Sequence, residues 1–319
     1  MYPRVMFQSR TFQGIALGML AAVCYGLIPT FTLPISGETG GAHALSDLSV
    51  MFYRFIFAAM VLGGVMLFRR CSFRITREEL ATLIYLAFLS DGAALFLIAG
   101  YPYLSSGVAT TIHFLYPVMI TLIMVMFYHE ARKLSTFLAV ALAVVGVGVL
   151  SYQPGQGINI HGVMLELISA FCYAFYLIRV NRSRVQHMDG LKLTFYVMAI
   201  GGCIFGAEAF RQDCLQPLTT QVQWANIFAL VMICTVVTNL SLVLSVKRIG
   251  STMTAVLGAL EPLTAVALGC FFFNEAFTWY VGIGIGMIIP AVLIIIYTRT
   301  RKATEKPLPP THSQAENVD

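Results

Sequence analysis

The sequence predicts an all-α membrane protein of ten transmembrane helices, arranged as two inverted five-helix repeats. Three observations carry this reading. The 319-residue chain is 58% hydrophobic and 11% charged, with a mean hydropathy of +0.80, whereas soluble domains carry about a quarter charged residues. A water-soluble globule must keep a wettable exterior, so this composition needs a bilayer as its solvent. The apolar runs are also about 20 residues long, the crossing length of a helix and not of alternating barrel strands. Finally, one polar, proline-broken segment occurs twice.

Ten apolar segments follow in order. The first, 12–35, comes after Arg4 and Arg10 and is too long for the apolar part of a signal peptide, so it is read as a retained helix. Segment 49–68 holds Arg54, segment 80–100 holds Asp91, and segment 106–128 holds His113 and Pro117. Segment 135–152 is uncharged and closes the first half. Segment 162–180 opens the second half with Glu166 near its start, and 193–210 ends beside Glu208 and Arg211. Segment 225–245 holds Asn239, 251–273 holds Glu261 and Pro262, and 279–298 runs into Arg299, Arg301 and Lys302. The expected units are a first repeat over 12–152, a second over 162–298, and a polar, proline-containing cytoplasmic tail over 303–319 that is expected to be disordered.

Charge sets the expected orientation. All of the 20 Lys and Arg residues except Arg54 and Arg211 fall on one side of a ten-span arrangement. The positive-inside rule makes that side cytoplasmic, with both termini on it, in the cell inner (plasma) membrane. The net charge of +5 is then a topology signal, and no nucleic-acid partner is expected. Five of the seven cysteines lie in apolar segments, with no CxxC and no Cys/His spacing that suits a metal. No GxxxxGK[ST] occurs, so ATP hydrolysis, cofactors and metals are not expected.

A shift of 145 residues lays Pro117 on Pro262, Glu130 on Glu275, Leu115 on Leu260 and Ala131 on Ala276. With a slightly different shift, AAVCYGL (21–27) lies over SAFCYAF (169–175), pairing Tyr25 with Tyr173. Five spans per repeat is an odd number, so the second half enters from the opposite side. Inverted repeats are a recurrent plan of secondary transporters, with the substrate site near midplane at the repeat interface.

The segments LEPLTAVALGCFFFNE (260–275), YRFIFAAMVL (53–62) and YPVMITLIMVMFYHE (116–130) resemble the drug/metabolite transporter superfamily, EamA-type branch, over essentially 12–298. The resemblance implies ten helices in two homologous halves and a transport function. The first copy departs from the family pattern in carrying His113 and Tyr116.

Ionisable groups at membrane depth are functional-site hypotheses by default. Asp91 and Glu261 fall near midplane, and Thr254, Gly258, Glu261 and Ala265 form a small, polar stripe in the ninth segment. In the fourth, the stripe is Thr110, His113, Pro117 and Thr121. Each proline leaves the carbonyl four residues earlier without its helical donor, so the carbonyls of His113 and Gly258 are expected to be free. Arg54 either pairs with Glu166 or Glu208 or meets a substrate carboxylate. Tyr25, Tyr116, Tyr173 and Asn239 complete the expected substrate or proton site, with Pro117, Pro262 and Gly258 as flexing points. Gly14 with Gly18, and Gly282 with Gly286, are GxxxG pairs for close packing or a homodimer face.

The site is rich in acceptors and carries a single embedded base, which disfavours nucleotide-sugar substrates. The expected function is therefore export of small zwitterionic or cationic metabolites (amino acids, related compounds or drugs) by alternating access, with protons or the membrane potential as the energy source. The alternatives are a polytopic membrane enzyme acting on a lipid, which would need a catalytic cluster near an interface, and an uncoupled uniporter or channel.

Overall fold

The computed structural model describes residues 2–36, 44–127, 134–153 and 157–304. Glu130 and the tail from residue 305 onward lie outside them; Ala303 and Thr304, read from sequence as part of the tail, close the last helix.

The described chain is helical apart from one small hairpin. Helix α1 (Tyr2–Gly26) bends by 42° into the short α2 (Ile28–Thr32), where Pro29 removes a helical donor. Helices α3 (Asp47–Phe68) and α4 (Arg77–Gly100) follow, each with a side-chain N-cap; Thr76 and Glu79 form a reciprocal capping box on α4. Helices α5 (Ser106–His113) and α6 (Tyr116–Phe127) are two parts of one broken span. After α7 (Leu134–Leu150), strands β1 (Tyr152–Gln153) and β2 (Gly157–Ile158) pair antiparallel. Then come α8 (Ile160–Arg182), α9 (Gly190–Arg211) and α10 (Gln221–Val231). A π-helical turn over Met232–Val237 leads into α11 (Thr238–Leu257), and α12 (Leu260–Phe272) and α13 (Trp279–Thr304) end the described chain.

Among the described residues six helices are long and apolar enough to cross a membrane, or seven with the bent α1–α2 pair, and three shorter apolar helices accompany them. The molecule is a multi-pass membrane protein. Its main packings run between α3 and α9, α4 and α8, α1 and α11, α7 and α13, and α5 and α12.

Both prolines sit at helix breaks. Helix α5 ends four residues before Pro117, and α12 begins two residues before Pro262. The turn expected near Lys247 and Arg248 is present although helical structure runs through it. Ser245 and Thr254 share a hydrogen bond of 3.0 Å, whereas a straight helix would hold residues nine apart at about 13.5 Å. The chain therefore doubles back between them. Gly14 and Gly18 face this fold-back, against Arg248, Ile249, Ser245 and Leu257, so that GxxxG pair packs inside the chain and is not a dimer face. Gly282 meets Phe277, and Gly286 has open space beside it.

Glu275 ties the segment after α12 to the start of α5. Its carboxylate accepts from the Ser106 backbone N–H at 2.8 Å and hydroxyl at 2.7 Å, and from the Gly107 N–H at 3.5 Å. It thereby caps α5, whose first N–H groups have no helical acceptor and whose dipole favours an anion there. Glu275→Ala is expected to cost about 1–2 kcal/mol, seen as a melting temperature lower by roughly 3–6 °C in detergent. Glu275→Gln, which keeps an acceptor oxygen, should retain most of that stability. Equal loss in both variants would show that charge and not capping matters.

Candidate functional site

The helix breaks, the end of α1 and the middle of α8 converge on one buried cluster. Proline fixes where it forms, because an interrupted ladder ends one helix and restarts another at Tyr116 and at Leu260. The Tyr116 and Tyr173 rings stand edge to face with centroids 4.8 Å apart, and Tyr173 is 5.5 Å from the His113 ring. Tyr176, one turn further along α8, stacks on Tyr173 at 5.9 Å. The Tyr25 hydroxyl faces that of Tyr173 and donates to Asn239 Oδ1 at 3.5 Å. Glu261 lies within electrostatic range of Tyr25, Tyr116, Tyr173 and Tyr101. Gly26 allows this convergence, since a Cβ there would stand 2.7 Å from the Glu261 carbonyl oxygen.

His113 is held in one tautomer. Ser169 donates its single hydroxyl proton to the Ala93 carbonyl at 2.5 Å. The His113 Nδ1, 2.8 Å from the same oxygen, must therefore be the donor, which leaves Nε2 as the ring's acceptor.

Arg54 joins this cluster through the π-helical turn. Its Nε donates to Thr235 Oγ1 at 3.1 Å, and Thr235 donates in turn to the Leu230 carbonyl at 3.1 Å. Asn239 Nδ2 donates to the Thr235 carbonyl at 2.7 Å, completing a path from Arg54 to Tyr25. Such turns recur at functional sites because they re-aim side chains. The expected ion pair is not formed. Glu208 bonds Arg211 and Gln212 at the exposed end of α9, Glu166 has no partner, and no described carboxylate pairs with Arg54. The cation is 6% exposed and its charge is not neutralised by the described protein.

Two more expectations are corrected. The Gly258 carbonyl is not free, because the Glu261 N–H turns back to it at 3.0 Å, closing the turn that the proline opens. Asp91 and Glu261 do not share a site through any described hydrogen bond or ion pair. The Asp91 carboxylate lies against Gly201 of α9, where a Cβ would be 2.6 Å from Oδ1, and neither oxygen has a hydrogen-bond partner among the described residues. Tyr176, within electrostatic range of Asp91, is its link to the aromatic cluster.

The structure therefore brings Tyr25, His113, Tyr116, Tyr173, Asn239, Glu261 and Arg54 together and sets Asp91 behind Tyr176. Sequence reading missed Tyr101, Tyr176, Ser169 and Thr235. Tyr176 follows Tyr173 at a helical spacing of three, which was a usable signal; nothing in MICTVV (232–237) announces a π turn. Among the described residues no group of His, Cys, Asp or Glu could hold a metal ion.

Comparison with known proteins supplies the context. A family model described as "EamA-like transporter family" matches residues 12–152 and 160–297. An "Uncharacterized transporter" of Archaeoglobus fulgidus is 24% identical over 288 residues, covering 88% of this chain and 95% of the relative. A second protein of that description from the same organism is 26% identical over 158 residues, covering 49% and 55%. A solved structure described as "Crystal structure of protein" aligns over 94% of this chain and 99% of its own, with a TM-score of 0.63 and 14% identity. That likeness concerns the fold alone.

Proposed function

Because the chain belongs to the EamA-like transporter family, we propose that it is a secondary active exporter of small zwitterionic or cationic metabolites, working by alternating access of two inverted five-helix halves. The observation that carries this reading is the buried cluster itself. A carboxylate ringed by tyrosines offers an ammonium group both charge and aromatic faces. Arg54, uncompensated within the described protein and reached through Asn239 and Thr235, offers a carboxylate its partner.

Three features support ten spans in two inverted halves. Adding the bent pair and the three shorter apolar helices to the six long ones accounts for every segment marked in the sequence. The helix breaks fall at corresponding places in the repeat. The packing pairs also close under exchange of the halves: α3 with α9, α5 with α12 and α7 with α13 map onto themselves, and α4 with α8 onto α1 with α11. In this reading the breaks at Pro117 and Pro262 are where the halves flex, the termini are cytoplasmic, and Asp91 carries the coupling proton.

Counterflow tests it. Proteoliposomes preloaded with unlabelled neutral amino acid should transiently accumulate the labelled one above equilibrium. A channel or a lipid-modifying enzyme would give simple equilibration or none, and either result would remove the carrier reading.

A further inference from the structure

Glu166 is the most completely buried of the described acids. None of its surface is exposed, and among the described residues neither carboxylate oxygen has a hydrogen-bond partner. It projects from α8 onto α4 so closely that a Cβ at Gly100 would overlap its carboxylate. Two further buried oxygens belong to the neighbouring wall, the Tyr101 hydroxyl just beyond α4 and the Thr110 hydroxyl on α5, and these two face each other. Tyr101 is within electrostatic range of Glu166, Arg54 and Glu261.

A bare carboxylate buried without a partner costs several kcal/mol, so this one needs a bound cation. A hard metal ion asks for about six or more oxygens. Two carboxylate oxygens and two hydroxyls fall short, and the nearby Gly100 carbonyl already accepts the Tyr103 and Leu104 N–H groups. A proton asks for one oxygen.

We infer that Glu166 is a second proton-binding site, separate from Asp91, and that Arg54 is the counter-ion that replaces its proton. In the conformation described, the proton occupies a Glu166 oxygen while Arg54 is held by Thr235. When the O–H bond breaks and the proton passes to water, the carboxylate left behind attracts the guanidinium across Tyr101. The other titratable group nearby is His113 of α5, whose ring is fixed on Ser169, three residues along α8 from Glu166. Tyr101 is in electrostatic range of Glu166 and also of Arg54 and Glu261; His161 of α8 packs its ring against Tyr103, and α4, which packs on α8, carries Asp91.

The test uses the full chain in lipid vesicles and dicyclohexylcarbodiimide, an apolar reagent that adds to protonated carboxyl groups, with the adducts located by peptide mass spectrometry. Glu166 should be modified at about pH 6 and at least about threefold less at about pH 9. Glu166→Gln should lose that adduct alone, with those at Asp91 or Glu261 kept. Arg54→Gln, or Arg54→Met where the first variant does not fold, should leave Glu166 reactive at the higher pH. No adduct at Glu166, a yield independent of pH, or protection by sodium ions at fixed pH would each overturn the assignment, the last by marking a metal site. The inference rests on the transporter reading only for its use. Labelling needs no substrate, so its failure and a failure of counterflow are separate results.

Discussion

Arg54→Gln should slow transport of a solute that carries a carboxylate by roughly 10- to 100-fold, and leave a matched amine without the carboxylate nearly unchanged. The size follows from the loss of a hydrogen bond to a charged group, about 1.5–3 kcal/mol, at about 1.4 kcal/mol per factor of ten. The selectivity follows from the structure. Arg54 spends its Nε on Thr235, and no described carboxylate neutralises it, so its charge and terminal donors remain for the solute. Arg54→Lys keeps the charge but loses the planar fork that matches a carboxylate, and should fall between wild type and glutamine. Initial rates in proteoliposomes give the answer. A loss of equal size for both solutes would make Arg54 a packing residue and remove the zwitterion from the proposed substrates.

What could be read from the chain before its fold was known follows a physical division. Depth along a helix is legible, because each residue rises by a fixed 1.5 Å, and so are helix breaks, because proline lacks a donor. Pro117 and Pro262 mark breaks that are there, and Asp91 and Glu261 are both buried. Rotation about the helix axis and the choice of neighbour are not legible. Asp91 faces Gly201 of α9 and not Glu261, and Arg54 reaches a threonine on a π turn that no residue pattern announces. Local competition is also easily overlooked. Glu208 has Arg211 three residues away on its own helix and so was never available to a distant arginine. The Gly258 carbonyl, robbed of one donor by Pro262, found another in Glu261 next door.

Asp91→Asn should abolish the pH dependence of transport while the protein still inserts and still exchanges solute. Asparagine has the same shape and cannot ionise, so the variant isolates the proton. The site tolerates little else. Both carboxylate oxygens stand 2.6–2.7 Å from where a Gly201 Cβ would be, so the acid fits only because α9 presents bare backbone. Asp91→Glu would drive its carboxylate into that backbone, at an overpacking cost of about 1–3 kcal/mol, and should lower stability as well as coupling. The buried pair of orphaned oxygens makes Asp91 costly as a bare charge, which is why a proton arriving or leaving there must be accompanied by a change in its surroundings. Tyr176 is the adjoining element through which such a change would reach the stacked Tyr173 and the solute site. Driven transport at a pH gradient should therefore fall at least about tenfold in Asp91→Asn, equivalent to about 1.4 kcal/mol of coupling, with counterflow at equal pH retained. An Asp91→Asn protein that keeps the wild-type pH profile would move the coupling proton elsewhere, and Glu166 would be the first place to look.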